Sequence, residues 1–162
     1  MQSMRTIIVL AAAMLTTPVL LLSQSAPQGH VYVTSSTLKW GPAPNSLPPG
    51  AQAAVIDGDP TKPGMFVMRL KAPDGFTVPP HWHPTDENIV VLQGMMRIGM
   101  GEKIDQKSAL ELPVGAFMKL PREMRHYAIA KGETVIQLHG MGPFEITYVD
   151  KAADPRSRAT TR

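Results

Sequence analysis

From Ala53 to Val149 the chain is a succession of short apolar runs, each closed by residues that favour turns. The runs are Ala53–Asp57, Met65–Lys71, Glu87–Leu92, Met95–Gly99, Ala109–Leu112, Ala116–Leu120, Tyr127–Ala130, Thr134–His139 and Phe144–Val149. Between them stand Asp57-Gly58-Asp59-Pro60, Lys62-Pro63-Gly64, Pro73-Asp74-Gly75, Gln93-Gly94, Pro113-Val114-Gly115 and Lys131-Gly132-Glu133. Strand-length segments broken at short, even spacing predict an all-β sandwich or barrel. Helical periodicity is absent beyond the first 26 residues, although Glu102 to Ala109 has room for one helical turn. With 162 residues, 43% of them hydrophobic, the chain suits one domain of modest core.

The two ends read differently. Residues 1–26 begin with a single basic residue, Arg5, continue as an apolar run from Ile7 to Leu22 interrupted by Pro18, and close on Ser23-Gln24-Ser25-Ala26. That order is a secretory signal peptide, cleaved after Ser25 or Ala26. A spanning helix needs about 20 apolar residues, so no stable membrane anchor is expected. The expected location is therefore periplasmic or secreted. With no cysteine there is neither a lipid-modified cysteine nor a disulfide framework. Residues 27–50 form a Pro-, Ser- and Gly-rich arm whose one strand-like stretch is Val31-Tyr32-Val33. Residues 51–150 are the domain, and residues 151–162 a polar tail expected to fray. The mature part carries 15 Lys+Arg against 13 acids, a formal +2 with the basic residues scattered, so nucleic acid is not an expected partner.

The chemistry is concentrated around His81-Trp82-His83. Side chains two apart on a strand share a face, so both imidazoles can enter one cavity. Glu87 stands four residues on, at the mouth of the apolar run Asn88–Leu92, where an unpaired carboxylate is costly and a cation resolves the cost. His126, ahead of Tyr127–Ala130, is the remaining candidate. Three imidazoles and one carboxylate suit a single divalent transition metal rather than calcium. Mn or Fe leads, with Ni, Cu and Zn also compatible.

The spacing of Gly75, His81, His83, Glu87 and Gly94 resembles the first motif of the cupin family at every anchor. Gly115, Pro121 and His126 resemble the second, with Glu123 where the family usually has glycine and Ala130 where it often has asparagine. The resemblance covers about Ala53 to Val149. It implies a double-stranded β-helix, the jelly-roll or cupin barrel, with His81, His83, Glu87 and His126 as metal ligands and a homodimer as the assembly. In that setting the arm from Val31 to Trp40 could add a strand to a neighbour.

Other residues are candidates for the cavity. Alternation puts Val135, Gln137 and His139 on one face of their strand and Thr134, Ile136 and Leu138 on the other. If the first face looks inward, His139 could act as a catalytic acid or base behind the metal ligands or contact substrate; otherwise it is an exposed or structurally bonded residue at the strand end. Tyr127 should point away from the metal, and Trp82 is expected to pack. Met65, Met68, Met95, Met96 and Met100 are expected to fill the interior rather than bind copper, and Arg69, Arg97 and Lys119 to be solvated. Cupins include metal-dependent dioxygenases and oxidases, non-redox isomerases and lyases, and non-catalytic ligand-binding modules. The leading expectation is a metal-dependent oxidoreductase acting on a small organic substrate.

Overall fold

The computed structural model describes residues 29–160. The expected signal peptide at residues 1–26 lies outside the described residues. The chain divides after His30, and the account below concerns the second unit, which begins at Val31.

The described residues of this unit form nine antiparallel strands: β1 (Gly41–Pro42), β2 (Gln52–Asp57), β3 (Gly64–Ala72), β4 (Thr77–Trp82), β5 (Glu87–Met100), β6 (Leu110–Pro113), β7 (Phe117–Leu120), β8 (His126–Gly142) and β9 (Thr147–Tyr148). They hydrogen-bond in the order β1-β2-β3-β8-β4-β9, and β5 pairs with β6, β7 and β8. This is the jelly-roll barrel. Its centre is the long β5–β8 pair, which runs from Glu87 opposite Gly140 to Met100 opposite His126. The two halves of β8 have different outer neighbours: β4 beside His126–Ile129, and β3 beside Thr134–Gly142.

Four of the expected short runs are therefore two long strands. Gln93-Gly94 and Lys131-Gly132-Glu133 do not reverse the chain; they lie opposite one another in the β5–β8 pair and bend it. Gln93 pairs with Val135 and Met95 with Lys131, so Gly132, Glu133 and Thr134 oppose the single residue Gly94. A bulge of this kind changes which alternate residues face inward. Along β5 the buried side chains are Glu87, Ile89 and Val91 before the bulge, but Met96 and Ile98 after it. Gly94 has φ 71°, and a Cβ there would lie 2.4 Å from the Glu133 carbonyl oxygen. Only glycine fits that corner. Buried Thr134 pins it by donating to the Met95 carbonyl at 3.0 Å.

The main core joins Phe66 and Met68 of β3, Ile89, Val91, Met96 and Ile98 of β5, and Ile136 and Leu138 of β8. A second cluster of Leu47, Val78, Ile146 and Tyr148 fastens the arm, and the Tyr148 hydroxyl donates to the Ser46 carbonyl at 2.7 Å. The arm's strand is β1 rather than Val31–Val33, which lies outside any strand with Val31 and Tyr32 exposed. Without a partner strand or a core to face, those β-formers have nothing to hold them extended. Residues 102–109 contain a turn, with Ser108 N donating to the Asp105 carbonyl, and no α-helix occurs among the described residues. The start of the tail is anchored rather than frayed. Two 3-10 turns, Lys151–Ala153 and Pro155–Thr160, follow β9, and Arg156 pairs with Asp154 at 2.8 Å while donating to the Ile146 carbonyl.

The turn ahead of β8 carries the one left-handed residue other than glycine among those described, Glu123 at φ 62°. This is the position at which the second cupin motif departs from glycine. The backbone conformation is kept and a side chain is forced into it, at a cost of about 1–2 kcal/mol. Glu123→Gly should therefore raise stability by about 0.5–1 kcal/mol once glycine's own entropic cost is allowed for. Chemical denaturation would read this as a higher midpoint at unchanged slope, and a lower midpoint would contradict it.

Candidate metal centre

Three strand ends bring the polar residues together. His81 lies near the end of β4, paired across the ladder with His126, the first residue of β8. His83 follows the end of β4, and the turn through Pro84 leads to Glu87, the first residue of β5. All four side chains are buried. One ring nitrogen from each of His81, His83 and His126 lies within 4.8 Å of the others, a group able to hold a metal ion. Glu87 Oε2 is 3.5 Å from His83 Nε2 and 3.2 Å from His126 Nε2.

Backbone carbonyls fix which nitrogen points inward. His81 Nδ1 is 2.7 Å from the Pro79 carbonyl, His83 Nδ1 2.7 Å from that of Glu145, and His126 Nδ1 2.9 Å from that of Met124. A carbonyl oxygen only accepts, so each Nδ1 carries the proton and each neutral ring presents a lone pair at Nε2. With all three rings neutral, three lone pairs and a carboxylate oxygen thus converge with no donor among them. His83 Nε2 and Glu87 Oε2 are buried without a hydrogen-bond partner. A divalent transition ion satisfies all of these atoms at once, and carbonyl-oriented histidines are the usual support for one. The donor set fits the group.

Sequence reasoning had no means of finding these supporting carbonyls, because a backbone oxygen has no side-chain signature. It also missed Phe144, whose ring stacks on His83 with centroids 4.2 Å apart and planes 14° apart. The sequence predicts a strand over Phe144–Val149, whereas only Thr147–Tyr148 pairs with β4.

His139 does not join the cluster. The inward face of β8 is Thr134, Ile136 and Leu138, all buried, which puts Val135, Gln137 and His139 on the outer face. There the His139 ring lies 6.4 Å from that of exposed Phe117. The condition for an acid–base role is therefore not met. Tyr127 also points away from the centre; its hydroxyl donates to the Asp105 carbonyl and accepts from Asp105 N. Arg69 bonds Gln137, Arg97 pairs with Glu111 and Lys119 with Asp86, leaving none of the three in the cavity. Met68 and Met96 are buried in the core, while Met65 and Met100 are exposed.

The electrostatics follow from burial and proximity. Burial pushes His81 down to about 3, helped by His126 and His83 and opposed by Glu87. Burial likewise lowers His83. Burial would raise Glu87, but the three histidines outweigh it and hold the carboxyl at about 2. Burial pulls His126 down as well, yet its contact with Glu87 raises it overall. In metal-free protein His81 thus contributes stability that is complete above the unfolded value near 6.5 and lost as pH falls toward 3. Glu87 adds a loss below 4.5. His126 acts oppositely, its contribution fading as pH rises above 6.5. Metal-free protein should lose on the order of 4 kcal/mol between pH 6.5 and 3. A melting temperature flat over that range would contradict the burial of neutral His81.

Residues 28–158 match the model of a family described as a domain of unknown function, DUF4437. No curated protein matches the sequence. Among solved structures, the polyketide cyclase RemF from Streptomyces resistomycificus is similar, with TM-score 0.65 and 17% identity over 81% of this chain and 93% of that one. A candidate acetylacetone dioxygenase from Methylibium petroleiphilum PM1 gives TM-score 0.63 and 16% identity over 82% and 89%. An RmlC-like cupin from Shewanella frigidimarina gives 0.54 and 10% over 70% and 91%. At these identities the likeness is one of fold, and the fold is that of the cupins.

Proposed function

The chain belongs to the DUF4437 family, and from its buried donor set we propose that His81, His83, Glu87 and His126 hold one divalent transition metal in an oxidoreductase acting on a small organic substrate. The observation that carries this reading is the convergence of three carbonyl-oriented Nε2 lone pairs on an unpartnered buried carboxylate. Iron or manganese is favoured, because a mixed imidazole–carboxylate set with open positions suits oxygen chemistry. When bound, such an ion supplies Lewis acidity toward a chelating oxygen and an electron path to dioxygen.

The residues of the chain supply the surroundings. The carbonyls of Pro79, Glu145 and Met124 hold the imidazoles in one tautomer, and Phe144 fixes the plane of His83. His81, His83 and Glu87 face a cavity whose other walls are almost wholly apolar, which excludes water and strengthens charge interactions there. No further acid or base reaches the cavity among the described residues, so any proton transfer falls to Glu87 or to the substrate itself.

The second reading, a non-redox lyase or cyclase using the metal as a Lewis acid, is favoured by the overall likeness to the polyketide cyclase RemF. Oxygen uptake separates the two. Iron-loaded protein turning over a β-diketone or phenol should consume dioxygen in proportion to substrate. Turnover without uptake would replace the oxidoreductase by the lyase, and tight ligand binding without any turnover would leave a binding module.

Export and pairing complete the proposal. Residues 1–26 are read as a signal removed on export, so the mature N-terminus should be Ala26 or Pro27. Recovery of protein retaining Met1 from the cytoplasm would refute this. The outer sheet face around exposed Phe117 is proposed to pair with a second copy, so Phe117→Glu should convert a dimer into a monomer in sedimentation.

A further inference from the structure

The cavity that opens on the metal-binding side chains has a volume of about 220 Å³. Its wall is built from strand faces: Met68 of β3, Ile89 and Ile98 of β5, and Ile136 and Leu138 of β8. Apart from His81, His83 and Glu87, the polar side chains on the wall are half-buried Ser46 and exposed Thr61. No lysine or arginine lines it.

Three physical consequences narrow what can enter. Hydroxyl groups on the body of a ligand would be buried without partners, at about 1–3 kcal/mol each. A phosphate would bring two charges to a wall with no cation of its own. A divalent ion held by three neutral imidazoles and one carboxylate leaves one net positive charge, which a single anionic oxygen head neutralises. Size sets the remaining limit: an apolar cavity of about 150 Å³ is enough for benzene, so this one takes a single ring or short chain together with a head group.

Building on the metal-centre reading above, we infer that the site binds small monoanionic oxygen chelators with an apolar body. Carboxylates, phenolates and enolates up to about the size of one substituted six-membered ring qualify, and polyhydroxylated or phosphorylated compounds are rejected. The head takes the metal's open side, and the body lies against Ile89, Ile136 and Leu138. Ala128, on the cavity side of β8, is the wall residue at which added bulk would fill the space.

The test uses the full chain loaded with Co(II), whose visible spectrum reports on ligands. Cobalt stoichiometry is measured first, and the protein is then titrated with acetate, propionate, butyrate and valerate. One cobalt per chain is expected, with binding tightening about fourfold per added methylene as each leaves water. Gluconate and phosphoglycolate should bind no more tightly than acetate. Ala128→Leu should keep its cobalt and its folded circular-dichroism spectrum while flattening the series. One cobalt per chain with a flat series in the parent protein, or gluconate binding more tightly than valerate, overturns the inference and leaves the metal centre standing. A chain that takes up no cobalt overturns both.

Discussion

Supplying a divalent transition ion at about 100 times its dissociation constant raises the melting temperature of the metal-free protein by roughly 10 °C, and His83→Ala abolishes the rise. The magnitude follows from linkage: a ligand that binds only the folded chain at that excess adds about 2.7 kcal/mol. For a domain of this size, 1 kcal/mol is worth roughly 3–5 °C. His83 is the informative position because its Nδ1 is held by the Glu145 carbonyl and its plane by Phe144, so its Nε2 can serve only the buried cluster. Glu87→Gln preserves shape but removes the charge that balances the ion, and it should reduce the rise by more than half. If both variants keep the full increase, the four residues are not the ligands. Scanning calorimetry with and without a chelator reads all of these outcomes.

The second large effect is mechanical. Gly99→Ala should cost about 3 kcal/mol or more, since a Cβ at Gly99 would lie 1.9 Å from the Tyr127 ring. That ring is fully buried, and its hydroxyl is tied to both the amide and the carbonyl of Asp105, so it has nowhere to go. Tyr127 is adjacent to His126, and Gly99 and Met100 pair with Tyr127 and His126 across β5 and β8. The displacement should therefore also weaken metal binding, by tenfold or more if His126 turns away from Glu87. A double-mutant cycle isolates the clash: in a Tyr127→Ala background Gly99→Ala should cost less than about 1 kcal/mol. Additive costs would mean that the strain arises elsewhere.

Much of the site was legible in the sequence because its signal is local. His81 near the end of β4 and His83 just beyond it are two apart in extended chain, and Glu87 follows within one turn, so pairwise spacing suffices to bring them together. His126 was legible only through the spacing of a second motif, since nothing local links it to residue 81; the β4–β8 ladder does that. Glu123 marked a departure from the motif, and its left-handed backbone accounts for the family's glycine. The turn signals at Gln93-Gly94 and Lys131-Gly132-Glu133 misled because glycine at positive φ serves a bulge as readily as a hairpin. A bulge and a hairpin differ in what lies across the strand, which no short window contains.

The sequence by itself determined the all-β class, the candidate ligands and the chemical type of ion they suit. These depend on side-chain chemistry and on periods of a few residues. The tertiary structure alone decided which face of β8 looks inward, and so removed His139 from the centre and gave the cavity Ile136 and Leu138. It also decided which imidazole nitrogen points into the cluster, through the Pro79 and Met124 carbonyls two residues back along the chain and the Glu145 carbonyl brought in from 62 residues away. Alternation defines two faces without saying which is buried; only packing against the opposite wall breaks that symmetry.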